Sequence, residues 1–265
     1  MKERSISSII LFALLFLVLY IGKNAFIPLA ILANIFCLVE YLRIIGTDNK
    51  GIAFMCVLSL VLIGFSMFLS EYMLSVFAVI VVLIFILNIV FGQTNADKAI
   101  YQVFAMTYIS LFISFAIRVI LGVENGIYLV YLIMAIPIAS DCFAYLIGMR
   151  FGKHRLSPII SPKKSIEGSI AGEVFAIIAA IILYFVYTKF ELLDIGFYHY
   201  VILGIICSVV GQFGDLTASM VKRRFKIKDF SHIIPGHGGV LDRIDSMLFS
   251  AAVAYMYIDI VLKLI

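Results

Sequence analysis

Between Ser219 and Ser246 the chain gathers Lys222, Arg223, Arg224, Lys226, Lys228 and Arg243 with Asp229, Asp242 and Asp245 around His237-Gly238-Gly239. Carboxylates are the hard oxygen donors that hold a divalent cation such as Mg²⁺. Glycines before a helix let backbone N–H groups converge on an anion, and the helix dipole adds to the attraction. Acids for a metal, a glycine turn and a ring of Lys and Arg together describe a polyphosphate site. A second cluster, from Arg150 to Glu173, repeats the chemistry with Lys153, His154, Arg155, Lys163 and Lys164, and with Gly168 and Gly172 at the next helix start. Two further acids, Asp141 and Asp215, stand in apolar stretches. A charge inside a membrane span is costly and is a functional hypothesis by default. Gly211, Asp215 and Ser219 are four apart and share a helix face, and Gly211 and Gly214 leave room beside Asp215 for a close neighbour.

These features also have plainer readings. Asp242 and Asp245 at a helix start offset the helix dipole. Lys and Arg follow the bias toward the inner face and attract anionic lipid. Neither reading accounts for Asp141 and Asp215, about two turns deep in their spans. Asp141, Asp215, Asp242 and Asp245 are therefore the set expected to share a divalent cation. His154 and His237 read as acid–base or anion-pairing groups, and His199 and His232 as structural. Cys37, Cys56, Cys142 and Cys207 show no metal-ligand or disulfide spacing and read as core.

The elements that must position these residues are membrane helices. The 265 residues are 64% apolar and 14% charged, against about 45–50% and about 25% for soluble domains. Nine apolar runs, roughly 6–22, 25–45, 51–69, 72–91, 100–121, 126–148, 169–187, 198–221 and 241–263, each approach the length of a span; a bilayer needs about 20 residues. Continuous rather than alternating runs choose helices over a barrel. With nine spans, sixteen Lys and Arg fall on the N-terminal side and four (Lys23, Arg118, Lys189, Lys263) on the other. That bias predicts a cytoplasmic N-terminus, an outside C-terminus and both charged clusters on the cytoplasmic face. The expected organisation is a single all-α polytopic membrane domain over 1–265. Within it, N-terminal helices occupy 1–121 and a catalytic half 126–265, with cytoplasmic loops at 149–168 and 222–240. No nucleic-acid partner is expected. A homodimer is compatible with the way membrane helices associate through small residues.

Ser219, Lys222-Arg223, Lys228-Asp229, Ser231, Ile234-Pro235, His237-Gly238-Gly239 and Asp242-Arg243-Ile244-Asp245 resemble the full signature of the phosphatidate cytidylyltransferases, the CDP-diacylglycerol synthases. Upstream, Ser140-Asp141, Gly148, Arg150, Gly152-Lys153, Ser161-Pro162-Lys163-Lys164-Ser165 and Glu167-Gly168 resemble the family's second motif, with Ser165 where Thr is commoner and Ile166 where an aromatic is common. The resemblance covers roughly the C-terminal half. It implies transfer of CMP from CTP to phosphatidic acid, giving CDP-diacylglycerol and pyrophosphate, with Mg²⁺ and room for a second cation; the compact length points to the inner membrane of a bacterium. By the same resemblance Asp215 and Asp242 are the first metal ligands, with Asp245 and Asp141 next. Lys222, Arg223, Lys228 and Arg243 bind phosphates; Ser219 belongs to the substrate face; His237, Gly238 and Gly239 form the anion turn; Lys163, Lys164 and Ser165 close the site. Two other readings are a CTP-dependent polyprenol or phytol kinase and an ion-coupled transporter. The second is disfavoured because the polar groups crowd one face.

Overall fold

The computed structural model describes Val18 and residues 20–90, 96–236 and 238–265. The predicted first span, 6–22, lies almost wholly outside the described residues, as do Asn95 and His237. Among the described residues, eight helices are long and apolar enough to cross a membrane: α1 (Lys23–Ile44), α2 (Asn49–Phe68), α3 (Met73–Val90, preceded by a 3₁₀ turn at Ser70–Tyr72), α4 (Ala96–Gly122), α5 (Gly126–Phe151), α6 (Ile166–Lys189), α7 (Phe197–Arg224) and α8 (Leu241–Leu262). Their ends agree with the other eight apolar runs to within four residues. The chain is an all-α polytopic membrane protein.

The chain forms two compact units: Met1–Arg118 with Ile227–Arg243, and Val119–Lys226 with Ile244–Ile265. In the first, α1 ends where Gly46 takes a positive φ of 72°, so that Thr47 N–H reaches Leu42 O at 3.0 Å and Gly46 N–H reaches Arg43 O at 3.1 Å. This left-handed stop satisfies carbonyls that the helix would otherwise leave open. Polar pairs then link helices inside the apolar layer. Asn34 Nδ2 donates to Ser59 Oγ at 3.0 Å between α1 and α2, and Asn88 Nδ2 donates to Gln102 Oε1 at 2.7 Å between α3 and α4. In lipid, where apolar contact with a neighbouring helix gains little over contact with acyl chains, such bonds and close packing hold helices together.

In the second unit, α6 shows how sequence sorts the two faces. Gly168, Gly172, Ala176 and Ala180, four apart, are buried, while Ile170, Val174, Ile178, Ile182 and Phe185 stand exposed on the lipid side. The small residues let α5 come close: a Cβ on Gly172 would lie 2.7 Å from Ser140 O, and one on Gly168 would lie 3.0 Å from Gly148 Cα. Phe143 and Phe175 stack across the same seam at 3.8 Å between centroids. The seam of α7 and α8 is built alike: a Cβ on Gly214 would lie 2.7 Å from Asp245 O, and Ser250 Oγ donates to Cys207 O at 2.8 Å.

The expected loop 149–168 is shorter and more ordered than its sequence indicates. Helix α5 continues to Phe151 and α6 begins at Ile166, leaving an antiparallel hairpin of β1 (Arg155–Ser157) and β2 (Ser161–Ser165). The segment's prolines and paired lysines lack apolar alternation, so only the pairing itself reveals the strands. Likewise α7 runs on to Arg224, placing Lys222, Arg223 and Arg224 in its last turn, where cations complement the helix dipole.

Gly172→Val should force α5 and α6 apart and destabilise the protein by about 1–3 kcal/mol, read as earlier thermal unfolding in detergent; unchanged unfolding would show that the Ser140 seam has slack.

Candidate active site

The acids of the second unit come together from three helices. Asp141 on α5 accepts a hydrogen bond from the Ser246 hydroxyl and lies within electrostatic reach of Asp215 on α7 and of Lys164. Asp245 on α8 lies within reach of Asp215, Lys222 and Asp141. The glycines at 211 and 214 make this possible, because only a side chain of one hydrogen admits the α8 backbone at Asp245 and Ser246. Lys164 Nζ forms an ion pair with Asp215 Oδ2, each side chain about a quarter exposed. Lys222 and Asp245 are 8% and 6% exposed, so their charges act in a medium that weakens them far less than water does. Three carboxylates therefore face two ammonium groups, Lys164 and Lys222.

The donor chemistry fits Mg²⁺, which takes hard oxygen ligands and usually combines one or two carboxylates with waters and substrate phosphates. Among the described residues no three acidic, histidine or cysteine side chains close into a metal cage. The fit is to that open mode of binding.

The hairpin is held against this cluster from several sides. Ser165 caps α6, its Oγ accepting from Gly168 N–H at 3.1 Å, and it is buried. His154 Nδ1 meets Glu167 Oε1 at 2.6 Å, and Glu167 also accepts from the backbone of Lys153 and His154 at 3.1 and 3.2 Å. Arg223 Nε donates to Ile160 O at 3.2 Å in the hairpin turn. Strand alternation turns Lys164 to Asp215 and leaves Lys163 exposed. Below Asp141, Ser208 Oγ donates to Ser140 Oγ at 3.0 Å, and Gln212 bonds both Ser169 and Ser140, joining α5, α6 and α7. Glu173 stands apart, with its carboxylate oxygens enclosed at a cavity of about 690 Å³ that Ser157, Ser169 and Gln212 also line.

The first unit holds the rest of the glycine-containing loop. Gly236 and Gly238 take positive φ of 76° and 83°, and Ile234 N–H bonds Gly238 O at 2.9 Å across the turn. Asp242 Oδ2 accepts from Phe230 N–H at 2.8 Å and Gly239 N–H at 3.0 Å. Glu40, 2% exposed on α1, accepts from Ser231 Oγ at 2.6 Å, Val240 N–H at 2.9 Å and Leu241 N–H at 2.9 Å. Lys228 and Arg243 are exposed.

A model of the Cytidylyltransferase family matches residues 2–261. The chain belongs to that cytidylyltransferase family. It is 28% identical over 263 residues to a phosphatidate cytidylyltransferase of Bacillus subtilis, an alignment covering 94% of each chain. It is 33% identical over 189 residues to one of Thermotoga maritima, covering 67% of this chain and 68% of the relative. With the phosphatidate cytidylyltransferase of Staphylococcus haemolyticus it shares 39% identity over 126 residues; there the alignment covers 48% of this chain and 47% of that protein, about half its length.

In this chain the structure gathers Asp141, Asp215, Asp245, Lys164 and Lys222, and it buries Ser219 at 8% exposure on α7. Three expected contacts meet partners inside the chain, the first being Asp242, expected as a metal ligand, whose Oδ2 receives Phe230 and Gly239 N–H. Of the expected anion turn, Gly239 gives its N–H to Asp242, and the N–H groups that follow it, of Val240 and Leu241, go to Glu40, because the first N–H groups of a helix need acceptors where water is excluded. Ser165 is a helix cap packed among Gly148, Gly152 and Gly168, where its sequence position implied a substrate contact. Glu40 stands near the end of the second apolar run and belongs to neither motif. Its one signal is the rarity of an unpaired carboxylate there.

Ser165→Ala should cost about 1 kcal/mol of stability, the usual loss for a cap, and leave the KM for nucleotide unchanged. A raised KM at unchanged thermal stability would return Ser165 to the substrate.

Proposed function

We propose that this chain transfers CMP from CTP to phosphatidic acid, forming CDP-diacylglycerol and pyrophosphate. The observation that carries the reading is the meeting of Asp141, Asp215 and Asp245 from three helices with Lys164 and Lys222. The similarity to the Bacillus subtilis phosphatidate cytidylyltransferase along 94% of both chains supports it.

The reaction joins two anions. A phosphate oxygen of phosphatidic acid forms a bond to the α-phosphorus of CTP, the bond from that phosphorus to the bridging oxygen breaks, and pyrophosphate leaves with the electron pair. The attacking oxygen is already ionised, so no strong base is needed. The barrier lies in repulsion and alignment, which fixed cations and positioning lower. We assign Lys164 and Lys222 to that neutralisation inside the cluster. Lys163, Arg223, Lys228 and Arg243 are assigned to attracting phosphates at the surface. Asp215, Asp245 and Asp141 are the residues that would hold Mg²⁺, which when bound supplies positive charge to the phosphates. Asp242 is assigned to bracing its loop, since its Oδ2 already receives two N–H groups. The same proposal puts the site on the cytoplasmic face of a bacterial plasma membrane, where a lipid headgroup can meet a soluble nucleotide, and takes the protein as a homodimer.

Purified protein in detergent, given labelled CTP, phosphatidic acid and Mg²⁺, should yield labelled CDP-diacylglycerol and pyrophosphate. Labelled CDP with a phosphorylated lipid would instead establish a lipid kinase. Asp215→Asn should lower turnover by at least about 100-fold, as expected for removing a group that organises transition-state charge, and should weaken Mn²⁺ binding measured by electron paramagnetic resonance without substrate. Normal turnover or unaltered Mn²⁺ binding would remove Asp215 from the ligand set.

A further inference from the structure

We propose that Glu40 is a positioning residue of the active site: from the first described helix it anchors the loop that leads into α8 and fixes the shape in which that loop serves the reaction. The inference rests on the transferase reading for its catalytic half and on geometry alone for the anchor.

Glu40 has no place in either sequence motif, yet its carboxylate is the acceptor around which the end of the longer motif is arranged. Oε1 takes the Ser231 hydroxyl at 2.6 Å and Val240 N–H at 2.9 Å; Oε2 takes Leu241 N–H at 2.9 Å. The partners lie 191 to 201 residues away in sequence. The fit is tight on the remaining side, where a Cβ on Gly239 would lie 2.5 Å from Oε2. A side chain at 239 would displace the Glu40 carboxylate, so glycine there is what leaves Glu40 its observed position, separately from any ligand. The two carboxylates divide the loop's donors between them. Asp242 takes Phe230 and Gly239, and Glu40 takes Val240 and Leu241. The next residue of α1, Tyr41, is fully buried and stacks on Phe230 at 6.2 Å, so α1 grips the loop near both its ends.

The chemistry at 40 is specific to glutamate. Glutamine keeps one acceptor and turns an NH₂ group toward a backbone N–H, setting donor against donor. Aspartate is one methylene short of the N–H pair. A carboxylate also carries full charge to the helix N-terminus, where the dipole favours it, and charge-assisted bonds are the stronger kind.

The test combines hydrogen–deuterium exchange with steady-state kinetics on the full chain in detergent. Glu40→Gln should speed exchange across the peptide containing Ser231 to Leu241 and lower kcat about tenfold or more, as misplacement far smaller than a side chain can do. The KM for CTP should move less than about threefold, since charges that attract nucleotide remain on the loop. Ser231→Ala should give the same pattern more weakly, and it carries the test should Glu40→Gln fail to fold. Unchanged exchange in Glu40→Gln overturns the anchor. Faster exchange with wild-type kcat overturns the positioning role, as does a loss of activity that only follows the fraction of unfolded protein. If the wild-type chain makes no CDP-diacylglycerol, the transferase reading falls, and the exchange measurement still decides the anchor.

Discussion

In hydrocarbon there is no water to accept a backbone N–H or to surround a carboxylate, so each such group must be answered from within the chain. The spans are helical for that reason, and the same demand shapes the functional residues. The N–H groups where α8 begins are answered by Glu40 and Asp242. The carboxylate of Asp215 is answered by Lys164 and that of Asp141 by Ser246. The buried members of the cluster are thus also part of what makes burial tolerable.

Close approach of helices is the second condition. Side chains at the seam glycines would strike backbone: Ser140 O from Gly172, Ala144 O from Gly168 and Asp245 O from Gly214. Glycine costs helix propensity at each position. What it gives in return is an interhelical distance short enough for Asp141, Asp215 and Asp245 to act as one group.

Most of the helical frame was legible in the sequence because apolar runs of span length are the strongest signal a chain can carry. The acids Asp141 and Asp215 were legible for the opposite reason, that charge in such a run has few explanations, whereas Asp245 at a helix start also had the dipole to explain it. The hairpin was not, since five residues reading SPKKS have no alternation to announce a strand. Nor was the work of Glu40, whose partners lie about two hundred residues downstream in sequence. Backbone N–H groups carry no residue identity, so a carboxylate that binds them leaves no complementary letter in the sequence. Ser165 misled in a related way: the same hydroxyl chemistry suits a phosphate and a helix cap, and only its burial beside Gly148 and Gly152 separates them.

The hairpin's paired lysines have one more effect. Neighbouring side chains on a strand point to opposite sides, so sliding β2 along its partner by a single position would swing Lys164 out and Lys163 in. Both carry the same ammonium on the same tether. The doublet therefore offers the same charge to Asp215 on either strand parity, and the burial of Ser165 as the cap of α6 fixes the register in which Lys164 is the one that meets it.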